Sequence, residues 1–225
     1  NPEPIHSFFQ SGQNAAAALV LVTADKGLCG AFNSNLLRGA VDWCKARQGQ
    51  KAYIIAVGRK GRDFVSRLRG FDIEILSEVT GIFPKVSFTH AELVGKSLMD
   101  AFTEKGLSRV DVLYNEFKSV AQQRLVKTEL LPIPAFAAPA EETFTAVEYG
   151  FEPKRKDLLA ELLPRYIKAQ VYRILLESQA AELAARMNAM DAASKNAKEL
   201  REMLNLGLNR RRQAIITGEI AELVG

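Results

Sequence analysis

Apolar residues fill every position from Ala15 to Val22 (AAAALVLV), and the polar pair Thr23 and Asp25 follows directly. A continuous run of that length, ending in a turn, is the pattern of a strand buried on both faces. The period then changes. Leu36, Leu37, Ala40, Val41 and Cys44 recur at helical spacing, with Asn33 or Ser34 as the expected cap. Lys51–Val57 reads as a second strand, and Arg59–Arg69 as a short basic helix with Phe64, Val65 and Leu68 on one face. Phe71–Leu76 alternates like a half-exposed strand. Thr89 followed by Glu92 is a capping-box signature; it opens a helix that carries Leu93, Val94, Leu98, Met99 and Phe102 inside and closes at Gly106. Arg109–Phe117 and Arg124–Ile133 are two further strands joined by the short SVAQQ, which predicts an antiparallel pair. Three strand–helix steps followed by a hairpin predict a Rossmann-like, mostly parallel α/β sheet covered by helices.

The pattern divides the chain into an irregular lead-in over 1–14, an α/β domain over 15–133, a proline-containing linker over 134–153 and a helix over 154–225. In the last segment Leu158, Leu162, Tyr166, Ala169, Tyr172, Leu176, Ala180, Leu183, Met187 and Met190 step by three or four residues. Leu200, Leu204, Leu208, Ile215, Ile220 and Leu223 continue the series, and Pro164 is the expected kink or early break. At 1.5 Å per residue such a helix would run roughly 100 Å, several times the width of a small domain. Its far end therefore needs another helix or a partner protein. Ala180, Ala181, Ala184, Ala185, Ala189, Ala192 and Ala193 would let a second helix approach closely. The local chemistry is that of a coiled coil, yet the sequence contains no second long helix.

Composition narrows the classes. With 48% apolar and 25% charged residues in 225, the chain is globular rather than disordered or repetitive. No stretch of 18 apolar residues occurs, so no membrane span is expected, and no secretory signal opens the sequence. Two cysteines make no disulfide framework, which points to a reducing compartment. His6 and His90, the only histidines, lack ligand spacing to Cys29 or Cys44, so no metal is expected. Residues 154–225 hold 13 basic and 9 acidic side chains of the chain's 30 and 26, leaving 17 of each sign to residues 1–153. The excess of +4 thus sits wholly on the helical segment. That is little for nucleic-acid binding over 72 residues, and a solvated helix face accounts for it equally.

Lys26–Gly30 follows the first strand, where phosphate loops sit, but it has neither G-x-G-x-x-G nor a Lys-Ser/Thr at the helix start. A tight glycine turn is the simpler reading. Cys29 at a helix start is a candidate nucleophile without a histidine partner. Asp25, Asp111 and Glu116 are carboxylates near strand ends with nothing in sequence to pair them. Near the C-terminus the polar run Asn209–Gln213 (NRRRQ) interrupts the apolar series, and its arginines and glutamine suit acidic loops of a protein partner.

Four segments together, TADKGLCGAFNSNL, YNEFKSVAQQRLVKTELLPI, LLPRYIKAQVYRILLESQAAELAARMNAMDAASKNA and NRRRQAIITGEIAELVG, resemble the gamma subunits of F-type ATP synthases. The resemblance runs from about residue 17 to residue 225, and Ile216-Thr217-x-Glu219-x-x-Glu222 before Gly225 is its most specific part. It implies a non-catalytic central-stalk rotor without a cofactor of its own. Its long C-terminal helix would form part of an antiparallel coiled-coil shaft inside a ring of three alpha and three beta subunits. The α/β domain would meet the epsilon subunit and the c-ring, with membrane contact only through the complex. The setting would be the cytoplasmic face of a bacterial inner membrane or the matrix face of the mitochondrial one. Carried onto this sequence, Arg212 and Gln213 would meet an acidic loop of a beta subunit, while Ile216, Thr217, Glu219 and Ile220 would pack and hydrogen-bond within the upper shaft. The family's N-terminal helix does not precede the first strand here, and members usually continue a few residues past the position of Gly225. The cysteine-bearing insertion of the chloroplast type is also missing, which favours a bacterial or mitochondrial type without thiol control. A small α/β nucleotide-binding or enzymatic module, dimerised by its C-terminal helix, is the alternative from a different class. Nucleic-acid binding through Arg210–Arg212 has the least support.

Overall fold

The structure is a computed structural model that describes residues 6–134 and 155–225; residues 1–5 of the expected lead-in and nearly all of the expected linker lie outside them. Strands β1 (Asn14–Val22), β2 (Ala52–Val57), β3 (Ile73–Val79), β4 (Leu107–Phe117) and β5 (Gln123–Leu131) form one sheet in the order β3-β2-β1-β4-β5. The pairs β3–β2, β2–β1 and β1–β4 are parallel, and β4–β5 is antiparallel. The central strand β1 is apolar from Ala15 and buried from Ala16 to its end because helices cover both of its faces. Ala17, Leu19 and Leu21 pack with α1 (Phe32–Lys45) and Val65 of α2 (Arg59–Val65). Ala18, Val20 and Val22 pack with α3 (Phe88–Glu104) and α4 (Arg155–Val224). Two layers of core result, one on each side of the sheet. Residues 6–13 lie against this frame: Phe8 is buried and its carbonyl accepts from Ile133 N at 2.7 Å.

Several local expectations are corrected. Neither Asn33 nor Ser34 caps α1; the cap is Ala31, without a side-chain hydrogen bond. Asn33 instead staples the preceding turn: its Oδ1 accepts from Ala24 N at 3.0 Å and its Nδ2 donates to Lys26 O at 3.3 Å. Ser87, not Thr89, caps α3, and His90 takes the place expected for Glu92, accepting from Ser87 N at 3.0 Å. An imidazole nitrogen fills the acceptor role as well as a carboxylate does, and Glu92 is left to meet Lys168 Nζ at 3.4 Å. Pro164 does not end α4, which runs unbroken through it. The carbonyl that Pro164 leaves without a donor is that of Ala160, on an exposed turn where water can satisfy it.

The largest correction concerns which side of α4 packs. Leu163, Ile167, Val171, Ile174, Leu175, Ala181 and Ala184 are the apolar side chains of α4 buried against the domain, with Ser178 and Glu182 buried among them. At about 100° per residue this face lies roughly opposite the series Leu162–Leu176–Met190 read from the sequence. Leu162, Tyr166, Leu176, Leu183, Met187 and Met190 are all exposed, pointing away from the domain. The helix is apolar on two opposite sides over 162–190. From residue 191 onward no side chain is buried at all.

These burial limits set a gradient of stability along one helix. A helix without tertiary contacts depends on propensity alone, which barely sustains it in water. In the isolated chain, amides over 163–184 should resist hydrogen exchange, whereas those over 195–224 should exchange within about one order of magnitude of unstructured rates. The exposed apolar series should also drive self-association. Uniform protection along α4 in a monomeric sample would contradict this.

Candidate functional site

Two places gather the residues singled out in the sequence: the turn after β1 and the far end of α4. The turn is strained and well tied. Leu28 has φ of 62° and Gly30 of 56°, so it passes through the left-handed region twice. Asp25, just before it, accepts from Arg59 N at 3.1 Å, Gly81 N at 2.8 Å and Phe83 N at 3.1 Å. This one carboxylate thereby fastens the loops that follow β1, β2 and β3. Thr23 supports it: its Oγ1 donates to Val57 O at 2.9 Å and accepts from Gly61 N at 2.7 Å. At Gly58, φ is 87° and a Cβ would sit 2.1 Å from the Thr23 carbonyl oxygen, so only glycine fits there.

A phosphate cradle turns backbone N–H groups toward its ligand. Here the Lys26 and Gly27 carbonyls accept from Asn33 Nδ2 at 3.3 Å and Arg186 Nη1 at 2.8 Å. That polarity is opposite to what an anion needs, and it closes the turn onto α4. Arg186 is held by Glu182 one turn earlier, its Nε donating to Glu182 Oε1 at 3.0 Å. The carboxylate is buried, so the pair is anchored in the domain rather than loose on the surface. Sequence offered one signal for it, the Glu–Arg spacing of four within an alanine-rich run.

The other candidates separate. Asp111, fully buried, accepts from Trp43 Nε1 at 2.7 Å, Arg47 Nη2 at 3.1 Å and Arg109 Nη2 at 2.6 Å. Burial lowers the Arg47 pKa, and the Asp111 carboxylate offsets this. Glu116 pairs with Lys118 Nζ at 3.0 Å near the sheet edge. The three carboxylates thus serve three different sets of partners, a structural use for each. Cys29 is buried and its thiol is pushed above the ordinary range, first by burial and then by the Glu182 carboxylate, with Arg186 opposing. This is the reverse of nucleophile activation.

At the far end of α4 the residues form two adjacent rows. Arg212, Ile216 and Glu219 follow one line, and Gln213, Thr217 and Ile220 the next, each stepping by four and then three. All six are exposed. Thr217 Oγ1 donates back to Gln213 O at 2.8 Å, the one side-chain hydrogen bond made within this set among the described residues. The rows are a polar–apolar surface open to a partner on every side.

Cys29 gives a pH test. A group whose folded pKa is raised supports the fold fully below its unfolded pKa, and that support is lost as pH climbs through the folded value. The melting temperature should therefore be flat to about pH 8.5 and fall above it. Cys29→Ala should remove part of that fall, as read by calorimetry across pH 7–10. Alkylation of the native protein at pH 8 should run at least about tenfold slower than in denaturant.

The geometry finds its counterparts among known proteins. A family profile described as ATP synthase covers residues 2–225. The "ATP synthase gamma chain" of Elusimicrobium minutum is 48% identical over 209 residues, covering 92% of this chain and 69% of that protein. That of Desulforamulus reducens is 42% identical over 221 residues, covering 98% of this chain and 75% of that protein. Among solved structures, a chain from the central stalk and c-ring of the Tetrahymena thermophila mitochondrial ATP synthase aligns with a TM-score of 0.63 at 27% identity. The alignment covers 80% of this chain and 77% of that one. A chain of the Euglena gracilis mitochondrial enzyme shares the fold, with a TM-score of 0.67 at 20% identity over 95% of this chain and 72% of that one. The fold is thus shared with these solved chains, and by the family profile and the gamma-chain relatives the chain belongs to the ATP synthase gamma-chain family.

Proposed function

We propose that this chain is the non-catalytic central-stalk rotor of a proton-translocating ATP synthase, coupling rotation of the membrane sector to ATP synthesis or hydrolysis at alpha–beta interfaces. The observation that carries this reading is α4 itself, a 70-residue helix whose side chains are unburied from residue 191 to its end. An apolar series that no described residue covers is sustained by surroundings supplied from outside the domain. An alpha-three beta-three ring supplies them. The α/β domain at the other end takes the epsilon subunit and the c-ring. Among the described residues no helix is long and apolar enough to cross a membrane; the complex would hold the subunit at the membrane periphery. We assign it to the cytoplasmic face of a bacterial inner membrane, because the gamma-chain relatives named above are bacterial.

A rotor needs faces that differ, so that each surrounding subunit meets a different contact as the shaft turns. The two rows at 212–220 supply such a difference. Arg212 presents a planar donor fork suited to carboxylates, and Gln213 adds an amide beside it. Together they suit an acidic loop of one beta subunit at a time. Ile216 and Ile220, each about half exposed, continue the rows as apolar packing positions, and Thr217 and Glu219 complete the hydrogen bonding.

Native mass spectrometry of the chain mixed with an alpha-three beta-three ring should show one copy per ring; two copies or none would count against a rotor. Replacing Arg212 and Gln213 together by alanine removes charge-assisted hydrogen bonds worth about 1.5–3 kcal/mol each. ATP hydrolysis by the reconstituted complex should then fall by roughly tenfold or more, while the α/β domain keeps its melting temperature. Unchanged turnover would remove these two residues from the coupling surface.

A further inference from the structure

If α4 is part of a turning shaft, torque between shaft and domain tends to roll the helix in its seat, and something must resist that roll. The buried stripe does this poorly where the helix leaves the domain. Toward that end its buried side chains are small, Ser178, Ala181 and Ala184, apart from Glu182, whose carboxylate is taken up by Arg186 of the same helix. Small side chains present a smooth ridge with little to interlock, and apolar attraction has no preferred direction. Hydrogen bonds are directional, and α4 makes them with loops on both sides of the helix seat. Gln179 Nε2 donates to Pro84 O at 2.6 Å, and Gln179 Oε1 accepts from Val86 N at 3.3 Å. Arg186 Nη1 donates to Gly27 O at 2.8 Å. Asn188 Nδ2 donates to Val120 O at 2.6 Å. At about 100° per residue, Gln179 and Arg186 fall within about 20° of each other on one edge of the stripe, and Asn188 lies about 170° from them, in line with Ala181 and Ala184. The two sides are set by the acceptors, Pro84 and Gly27 lying toward β3 and β1 and Val120 toward β5.

The acceptors belong to three separate loops, after β1, after β3 and between β4 and β5, all at the edge of the sheet where the parallel strands end. Among the described residues Asn188 is the last of α4 to hydrogen-bond the domain. We propose that Gln179 and Arg186 on one flank and Asn188 on the other form a two-sided brace. The brace fixes the roll angle of the shaft helix against the α/β domain, so these three are positioning residues for torque transmission. The proposal rests on the rotor reading above. With side-chain tips about 5–6 Å from the helix axis, a roll of about 10° moves each donor by about 1 Å. That shift takes a 2.6–2.8 Å hydrogen bond past about 3.5 Å. Roll in one sense opens one flank, and roll in the other sense opens the opposite flank.

The test uses the complete reconstituted complex with the ring immobilised and a probe attached to the domain through Ser66→Cys, an exposed site on the helix side away from α4. Cys29 and Cys44 are buried and stay unlabelled. Gln179→Ala and Asn188→Ala are made singly and together, since both leave the Glu182–Arg186 pair intact. During the pause between catalytic steps, the double variant should show an angular spread at least about 1.5-fold wider than the parent. The two single variants should shift the resting angle in opposite senses, and Asn188→Gln, which still donates, should restore the parent spread. A general loss of stability would not produce shifts of opposite sign. Spread and resting angle unchanged in an assembled, rotating double variant would overturn the brace while leaving the rotor reading intact. Failure of the Ser66→Cys parent itself to rotate would overturn the rotor reading, and the brace with it.

Discussion

Everything distinctive in this protein follows from one helix having two jobs along its length. Between Leu163 and Ala184, α4 is a core element whose apolar side completes the α3 layer of the sheet. Beyond residue 190 it is a rod with no side chain buried. The backbone hydrogen-bond ladder runs through both parts, so any rotation imposed on one reaches the other through a stiff element about 105 Å long. The domain fixes one end of the rod. It cannot shield the rest, and that inability is what requires partners.

The domain is suited to being a rigid mount. Its loops at the strand ends are tied by buried acceptors rather than left free for chemistry. Asp25 gathers three backbone N–H groups from two other loops, and Asn33 closes the turn between β1 and α1. On the opposite side of the sheet, Asp111 sits fully buried among Trp43, Arg47 and Arg109. Removing the partner of a buried charge typically costs about 3–5 kcal/mol, so this network locks α1 onto β4. Carboxylates at strand ends are the usual raw material of α/β active sites. In this chain they serve as fasteners.

The shaft shows its asymmetry at two scales. Near the domain, the exposed series from Leu162 to Met190 lies opposite the packed side, a seam on which a second helix can lie. Near the tip, rows led by Arg212 and Gln213 interrupt the apolar series with donors. A uniform rod would present the same contacts at every angle. These rows make the contacts differ around its circumference.

Much of this was legible in the residues. The order of strands and helices, the parallel-then-hairpin topology, and a helix too long for its domain all follow from hydrophobic period and turn chemistry, because burial on a strand or helix leaves a period of its own. Four segments between about residue 17 and residue 225, with Asn209–Gly225 the most specific, carried enough residues to suggest its family. Capping was misread where two candidates lay within one turn: Ser87–His90 competed with Thr89–Glu92, and only the backbone angles at Ser87 separate them. The brace residues Gln179 and Asn188 left no trace in the sequence, since their acceptors are backbone carbonyls up to 95 residues away. The side of α4 that enters the core was hidden for a related reason. A helix that is apolar on two opposite sides has two equally good stripes, and period alone cannot rank them. Which stripe packs depends on the shape of the surface it meets, and that surface exists only once the sheet and α3 have assembled.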